Sequence, residues 1–244
     1  MWRIRERGMG MKIVGLQKLT LLDYPGRVAC TVFLNGCNFS CPFCHNSQLL
    51  QDAPEIMSVE ELLAFLEKRK GVLDGVCITG GEPTLHEELI PLLRRIKALN
   101  YPVKLDTNGY RPAVLVQAVR EGLVDRVAMD IKNGPEEYGI TAGLKKPQLE
   151  LIEQSIRFLA GGFVDHEFRT TMVQSLHSVQ SVESMAQWVL SVNGGHKISC
   201  LYLQPFVDRD TVPMEGLSAP NDEMLAKYAE ILGRCAEKVE LRGK

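Results

Sequence analysis

The chain has 244 residues, with 28 Lys and Arg against 30 Asp and Glu, and a net charge of −2. That balance argues against nucleic acid or an anionic membrane as a general partner, since both call for a basic surface. With 45% hydrophobic residues and no apolar run near the ~20 that a membrane helix needs, the composition is that of a soluble globular chain with a sizeable core.

The first ten residues, "MWRIRERGMG", are polar and basic and lack an apolar signal core. They are expected to form a loose tail, and regular patterning begins at Met11. From there short β-rich runs alternate with helical patterns. Strands are expected at 28–36, 75–81, 102–109, 125–132, 165–173 and 197–206, and helices at 58–71, 86–100, 112–122, 148–162, 181–192 and 221–239. Ser58 and Glu61 form a capping-box pattern, Gly71 stops that helix, and Pro112 opens another. Six βα units in a row predict a parallel sheet in one domain over 11–244. The sheet is either open and doubly wound or curled as an incomplete barrel, because the length lacks two units for a full eight-fold barrel.

Parallel α/β sheets work at the carboxyl ends of their strands. The unusual residues gather there: the cysteine-rich "NGCNFSCPFCHN" after the first strand, "GGEP" (80–83) after the second, and "DTNG" (106–109) and "MDIK" (129–132) closing the third and fourth. "FRTT" (168–171) lies in the fifth and "QPF" (204–206) ends the sixth.

Seven Cys are present. Cys30, Cys77, Cys200 and Cys235 sit among apolar residues, the pattern of buried reduced thiols, which points to the cytosol. Cys37, Cys41 and Cys44 are crowded beside His45. A disulfide suits neither the crowding nor the compartment. Structural zinc wants four converging ligands, usually as two separated pairs, and His45 adjoins Cys44. A reactive thiol is a further reading. A four-iron cluster held by three thiolates would leave one iron open to another ligand.

Around the cysteines, Gly80 and Gly81 allow close backbone approach, and Glu82 can accept from an ammonium. Asp106 and Asn108 suit ribose or ammonium partners, or a plain turn. Asp130, Lys132 and Arg169 are charges in strands expected to be buried, either as an internal ion pair or as ligand contacts.

The Cys-x3-Cys-x2-Cys spacing, with Phe43 just before the third Cys and "GGEP" after the next strand, resembles the radical S-adenosylmethionine (SAM) superfamily. "LLDYPGRVACTVFLNGCNFSCPFCHN", "DTNG", Asp-x-Lys and a fifth-strand Arg resemble its glycyl-radical-enzyme activating enzymes. The branch most like this chain is the anaerobic ribonucleoside-triphosphate reductase activating proteins. The resemblance implies a radical SAM core folded as an incomplete (β/α)6 TIM-like barrel. It implies a 4Fe-4S cluster on Cys37, Cys41 and Cys44 that binds SAM at its open iron and cleaves it to a 5′-deoxyadenosyl radical. It implies contacts to SAM from or near Phe43, Gly80, Gly81, Glu82, Asp106, Asn108, Lys132 and Arg169, with Phe43 packing on the adenine. Asp23 would lie near the substrate loop. Asp106, Thr107 and Asp130 match positions that hold a monovalent cation in pyruvate formate-lyase activating enzyme. His45 would neighbour the cluster without ligating it.

The substrate implied is a backbone glycine of a large glycyl radical enzyme, with flavodoxin or ferredoxin as electron donor. A radical SAM enzyme acting on a small molecule or another peptide would share the core motifs, and a non-catalytic zinc scaffold is the alternative outside enzymes. Two positions depart from the family pattern. Tyr24 stands where a Gly is usual, and Val207 stands where a SAM-contacting His follows the Pro-aromatic pair, leaving Gln204 for that contact.

Overall fold

The computed structural model describes residues 10–50 and 53–243. The expected N-terminal tail, but for its last residue, lies outside them. Eight strands follow one another in sheet order as in the chain: β1 (Ile13–Thr20), β2 (Ala29–Leu34), β3 (Gly75–Gly80), β4 (Val103–Thr107), β5 (Arg126–Asp130), β6 (Asp165–Met172), β7 (Ile198–Pro205) and β8 (Ala236–Leu241). β1 runs antiparallel to β2, and β2 to β3, β3 to β4, β6 to β7 and β7 to β8 are parallel. The helices are α1 (Val59–Lys68), α2 (Leu89–Ala98), α3 (Pro112–Arg120), α4 (Tyr138–Ala142), α5 (Leu149–Ala160), α6 (Val179–Val192) and α7 (Asp222–Leu232). This open, mostly parallel α/β sheet fits the incomplete (β/α)6 barrel, one of the two forms that the alternation allows and the one that the resemblance implies, with β1 and β8 added at the ends of the order.

Three differences from the expected helices stand out. The helix expected over 221–239 stops at Leu232, and "AEKVEL" turns extended to pair with β7, Ala236 opposite Ile198 and Val239 opposite Leu201. The helix expected from residue 86 starts at Leu89, because a 3-10 turn over Pro83–Leu85 comes first. Pro91 then falls in the first turn of α2, where a missing N–H costs nothing. Short α4 has no counterpart among the expected elements. The Ser58–Glu61 capping box is present, with both reciprocal hydrogen bonds made.

The described residues form two compact units. The first takes the described part of Met1–Asn38, with Gln48–Thr107 and Ala113–Val127. Here the register sorts the residues by face. Cys30, Val76 and Val103 share one face with Val32, Ile78 and Leu105, while Thr31, Cys77 and Lys104 share the other. Leu62, Leu66, Leu89, Leu93 and Ile96 of α1 and α2 are fully buried. The second takes Phe39–Ser47, Asn108–Pro112 and the described part of Ala128–Lys244. In it Phe168, Leu201 and Val239 share one face, and Arg169, Tyr202 and Glu240 the other. Among the described residues no helix is long and apolar enough to cross a membrane.

Candidate functional site

In the first unit, β2 ends at Leu34 and the chain turns toward Cys37. Asn35 is buried and anchors the turn: its Oδ1 accepts from the Lys12 N–H at 2.8 Å, and its carbonyl oxygen lies 2.8 Å from His86 Nε2. The Gly81 N–H donates to Leu34 O at 2.9 Å and the Glu82 N–H to Gly36 O at 2.8 Å, so "GGE" is laced to the segment entering the cysteines. A Cβ on Gly80, whose φ is +127°, would meet Leu34 O at 2.2 Å, and one on Gly81 would meet Gly36 O at 1.8 Å. The two glycines are therefore required by the chain's own backbone, whatever ligand comes near.

Glu82 is almost fully buried. Its Oε1 accepts from the Thr84 N–H at 3.1 Å, from Thr84 Oγ1, and from Thr107 Oγ1 at 2.8 Å. It caps the 3-10 turn and ties it to the end of β4. Asp106 accepts from the ammonium of Lys104, itself buried two residues earlier on the same strand face, with the Cys77 sulfur 3.9 Å away. Asp23 accepts from Thr31 Oγ1 at 2.5 Å, beside the exposed Leu21 and Leu22.

In the second unit, Cys41 and Cys44 lie on a loop held from two sides. The Ser40 N–H donates to Ala142 O of α4 at 3.0 Å, and Gly143 packs so closely that a Cβ there would meet Ser40 O at 2.1 Å. On the other side a strap over 206–214 crosses the loop. His45 Nε2 lies 2.6 Å from Val207 O, Thr211 Oγ1 donates to His45 O at 2.6 Å, Ser47 Oγ donates to Thr211 O, and the Met214 N–H donates to Pro42 O at 3.1 Å. At the position where the family pattern leads one to expect a His, Val207 thus offers its carbonyl to the cysteine loop. Asn108 Oδ1 accepts from the Tyr110 N–H at 3.0 Å, the turn geometry that "DTNG" allows.

Asp130 is the hub of the charged residues here. Arg169 Nε donates to one of its oxygens at 2.8 Å and Lys132 Nζ to the other at 2.9 Å. Burial would raise the Asp130 carboxyl, but the two cations overcome it and hold the group well below the usual carboxylate range. Burial would lower Lys132, and Asp130 followed by Cys41 more than offsets this, so its ammonium is held above the usual lysine range. That ammonium also sits 5.9 Å over the ring of buried Phe43. Asp130, Lys132 and Arg169 are thus brought together as the ion pair that the sequence left open beside ligand contact.

All seven cysteines are free thiols. Cys30, Cys77 and Cys235 are buried as expected, whereas Cys200 is only half-buried, beside its register partner Lys238 on β8. Among the described residues no three His, Cys, Asp or Glu side chains converge on one point where a single metal ion would sit. Burial pushes the Cys41 thiol up to about 11, and that of Cys44 up as well. Three free thiols in eight residues, two of them on a braced loop in surroundings that disfavour a bare thiolate, are a donor set that fits an iron–sulfur cluster, whose irons take up the thiolate charge. The sequence missed α4 with Tyr138 and Gly143, and the strap with Thr211. The one signal for the former is Gly143 closing "YGITAG", since a glycine commonly ends a helix.

Comparison with known proteins places this arrangement. A protein of Methanocaldococcus jannaschii, provisionally named a glycyl-radical enzyme activating enzyme, is 29% identical over 94% of this chain and 95% of its own length. A protein of Thermococcus kodakarensis, provisionally named GTP 3′,8-cyclase, is 31% identical, but over 51% of this chain and 42% of its own. The crystal structure of a domain of pyruvate-formate lyase-activating enzyme from Bacteroides vulgatus superposes with a TM-score of 0.55 at 21% identity, over 69% of this chain and 99% of that one, a likeness of fold. The family model of the radical SAM superfamily matches residues 31–186, which run from β2 into α6 and include all three clustered cysteines, "GGEP", "DTNG", Lys132 and Arg169. The chain belongs to the radical SAM superfamily.

Proposed function

We propose that the protein activates a glycyl radical enzyme, the partner expected being an anaerobic ribonucleotide reductase. The carrying observation is the span of the M. jannaschii relative, which matches nearly end to end, whereas the cyclase relative matches over about half of this chain. Cys37, Cys41 and Cys44 would hold a 4Fe-4S cluster. When bound, that cluster supplies the electron that cleaves SAM and starts hydrogen abstraction from the substrate glycine.

The chain's own residues orient and shield. Lys132 and Arg169, poised on Asp130, are the cations suited to the carboxylate of SAM. Gly80 and Gly81 keep the backbone beside the cysteine segment bare of side chains, and Asp106 and Asn108 are the polar groups for its ribose or ammonium. Asp23, beside exposed Leu21 and Leu22, is the residue for a substrate loop. A monovalent cation on Asp106, Thr107 and Asp130 has less support, because Lys104 already pairs with Asp106, and Lys132 and Arg169 with Asp130. The reduced cysteines fit a cytoplasmic setting with flavodoxin or ferredoxin as donor.

The deciding experiment is anaerobic electron paramagnetic resonance of the reduced protein with SAM and the candidate reductase. A glycyl radical doublet on the partner is expected. SAM cleavage without that doublet, but with turnover of a nucleotide such as GTP, would move the reading to a small-molecule enzyme, the second reading that the cyclase relative supports. Colourless protein with one zinc would end both.

A further inference from the structure

Past Asp130, where β5 ends, the chain is held at three successive residues. The Ile131 N–H donates to Arg169 O at 2.9 Å, and Ile131 O accepts from Thr170 Oγ1 at 2.9 Å. His177 Nε2 lies 2.9 Å from Lys132 O. Asn133 Nδ2 donates to Leu176 O at 2.8 Å and to Thr141 Oγ1 at 3.0 Å. The ties at Lys132 and Asn133 reach into one tight turn over 173–177. In that turn Val173 O accepts from the Leu176 N–H at 3.1 Å and from the His177 N–H at 3.0 Å. Tyr228 of α7 donates to the His177 carbonyl and anchors the turn in its place.

His177 is fully buried, and a buried imidazole is costly unless its ring nitrogens are satisfied. The Val173 N–H donates to Nδ1 at 3.1 Å, so that nitrogen carries no proton. Val173 O lies 3.2 Å from Nδ1, but it already accepts the two N–H groups of the turn. Burial holds the imidazole below its usual value, outweighing the backbone contacts at Lys132 and Val173 that pull the other way. The ring is therefore neutral at pH 7, and its one proton sits on Nε2 and goes to Lys132 O. The peptide held in this way carries the Lys132 ammonium, which reaches Asp130 at 2.9 Å and sits 5.9 Å over the Phe43 ring. Arg169, the other cation on Asp130, has its backbone fixed by the pairing of β6 with β7. Lys132 stands beyond the last residue of β5, and His177 does for its peptide what sheet pairing does for Arg169.

We propose that His177 is a positioning residue for the Lys132 ammonium: its Nε2–H bond to Lys132 O fixes the backbone from which that ammonium reaches SAM. The proposal rests on reading Lys132 as a contact to the SAM carboxylate, and His177 acts through Lys132 alone.

The test is anaerobic calorimetry of SAM binding to the full-length reconstituted protein. His177→Asn keeps a polar atom for the Val173 N–H but is too short to reach Lys132 O, whereas His177→Gln keeps a donor near the place of Nε2. His177→Asn should bind SAM about fivefold more weakly at unchanged iron content, the size of one lost hydrogen bond, and His177→Gln should recover most of the affinity. Equal losses in the two variants would make packing the cause and overturn the assignment. In a Lys132→Met background His177→Asn should bring no further loss, because the ammonium it acts through is gone; a second loss of the same size would overturn the assignment as well. Should His177→Asn not fold, nitrogen NMR of wild-type protein with labelled histidine replaces it. A proton on Nε2 of His177 and none on Nδ1 is the expected result, and the reverse tautomer overturns the assignment. Lys132→Met with unaltered SAM affinity would overturn both this proposal and the reading of Lys132. A weakened Lys132→Met beside an unchanged His177→Asn would overturn the role of His177 alone.

Discussion

Gly81→Ala is the sharpest probe of how "GGEP" is joined to the cysteine segment. The added methyl would stand 1.8 Å from Gly36 O, 2.4 Å from Gly36 C and 3.2 Å from Cys37 N. The first distance is roughly 1.5 Å short of ordinary contact. The obstacle is backbone, which cannot swing aside as a side chain would. The Glu82 N–H to Gly36 O and Gly81 N–H to Leu34 O bonds hold the two segments at their present spacing. Relief of the clash costs about 1–3 kcal/mol as overpacking. Weakening two backbone hydrogen bonds adds about 1 kcal/mol each, for about 3–5 kcal/mol in all. That is a large part of the ~5–15 kcal/mol that holds a typical domain folded.

Gly122→Ala is the matched control. Gly122 has φ +66° and nothing within 4 Å of the added Cβ, so it carries only the left-handed penalty of about 1–2 kcal/mol. Denaturant midpoints of the two variants should separate accordingly. Gly81→Ala should also lose most of its iron, because Gly36 moves with Cys37 attached, while Gly122→Ala keeps it. A Gly81→Ala midpoint equal to that of Gly122→Ala, with full iron, would refute the reasoning.

Cys41→Ala should abolish the iron–sulfur absorbance of anaerobically reconstituted protein; a complete cluster in that variant would remove Cys41 from the ligand set. Lys132→Met and Arg169→Gln should each weaken SAM binding about tenfold by calorimetry at unchanged iron content, the loss of one charge-assisted hydrogen bond, and unaltered affinity would leave both residues as partners of Asp130 alone. Asp130→Asn should cost about 2 kcal/mol at neutral pH, below the roughly 3–5 kcal/mol for breaking a fully buried pair, because its side chain is 30% exposed. The folded carboxyl titrates below the unfolded value of about 3.9, so this stability is full above about pH 5 and is lost as pH falls through and below about 4. The acid limb of the stability curve should therefore flatten in Asp130→Asn, and an unchanged limb would show that another carboxylate controls it.

The barrel was legible because its strands and helices announce themselves by period and by stop signals. Ser58 with Glu61 and Pro112 mark helix starts by local chemistry that tertiary context does not override. β8 was not legible, because "CAEKVEL" continues the spacing of α7 and only its pairing with β7 makes it extended. α4 was hidden for a related reason. Five residues are too few for a visible period, and their helical form is supported by contacts with Asn133 and with Ser40, the latter about a hundred residues away in the chain. The strap over 206–214 has no regular structure, and its hydrogen bonds to the cysteine loop are mostly made through main-chain groups, which any sequence possesses. Charges within expected strands were legible as exceptions, since Asp130, Lys132 and Arg169 are out of place in a buried parallel strand. Their pairing was not, because one sequence serves equally for an ion pair and for a ligand contact.

The site residues divide by what else they do, and that division decides which substitutions can reveal a ligand. Gly80, Gly81 and Glu82 are tied into the backbone of the first unit, so their replacement disturbs the cysteine segment before any ligand is concerned. Loss of activity in such variants would be equally expected of a residue that never touches SAM. Lys132 and Arg169 differ, because each is a long side chain that pairs with the Asp130 carboxylate, so removal of either leaves Asp130 with its other partner. A Lys132 or Arg169 variant that keeps its fold and iron but loses SAM affinity can be read as a lost contact, whereas a glycine variant with the same activity cannot.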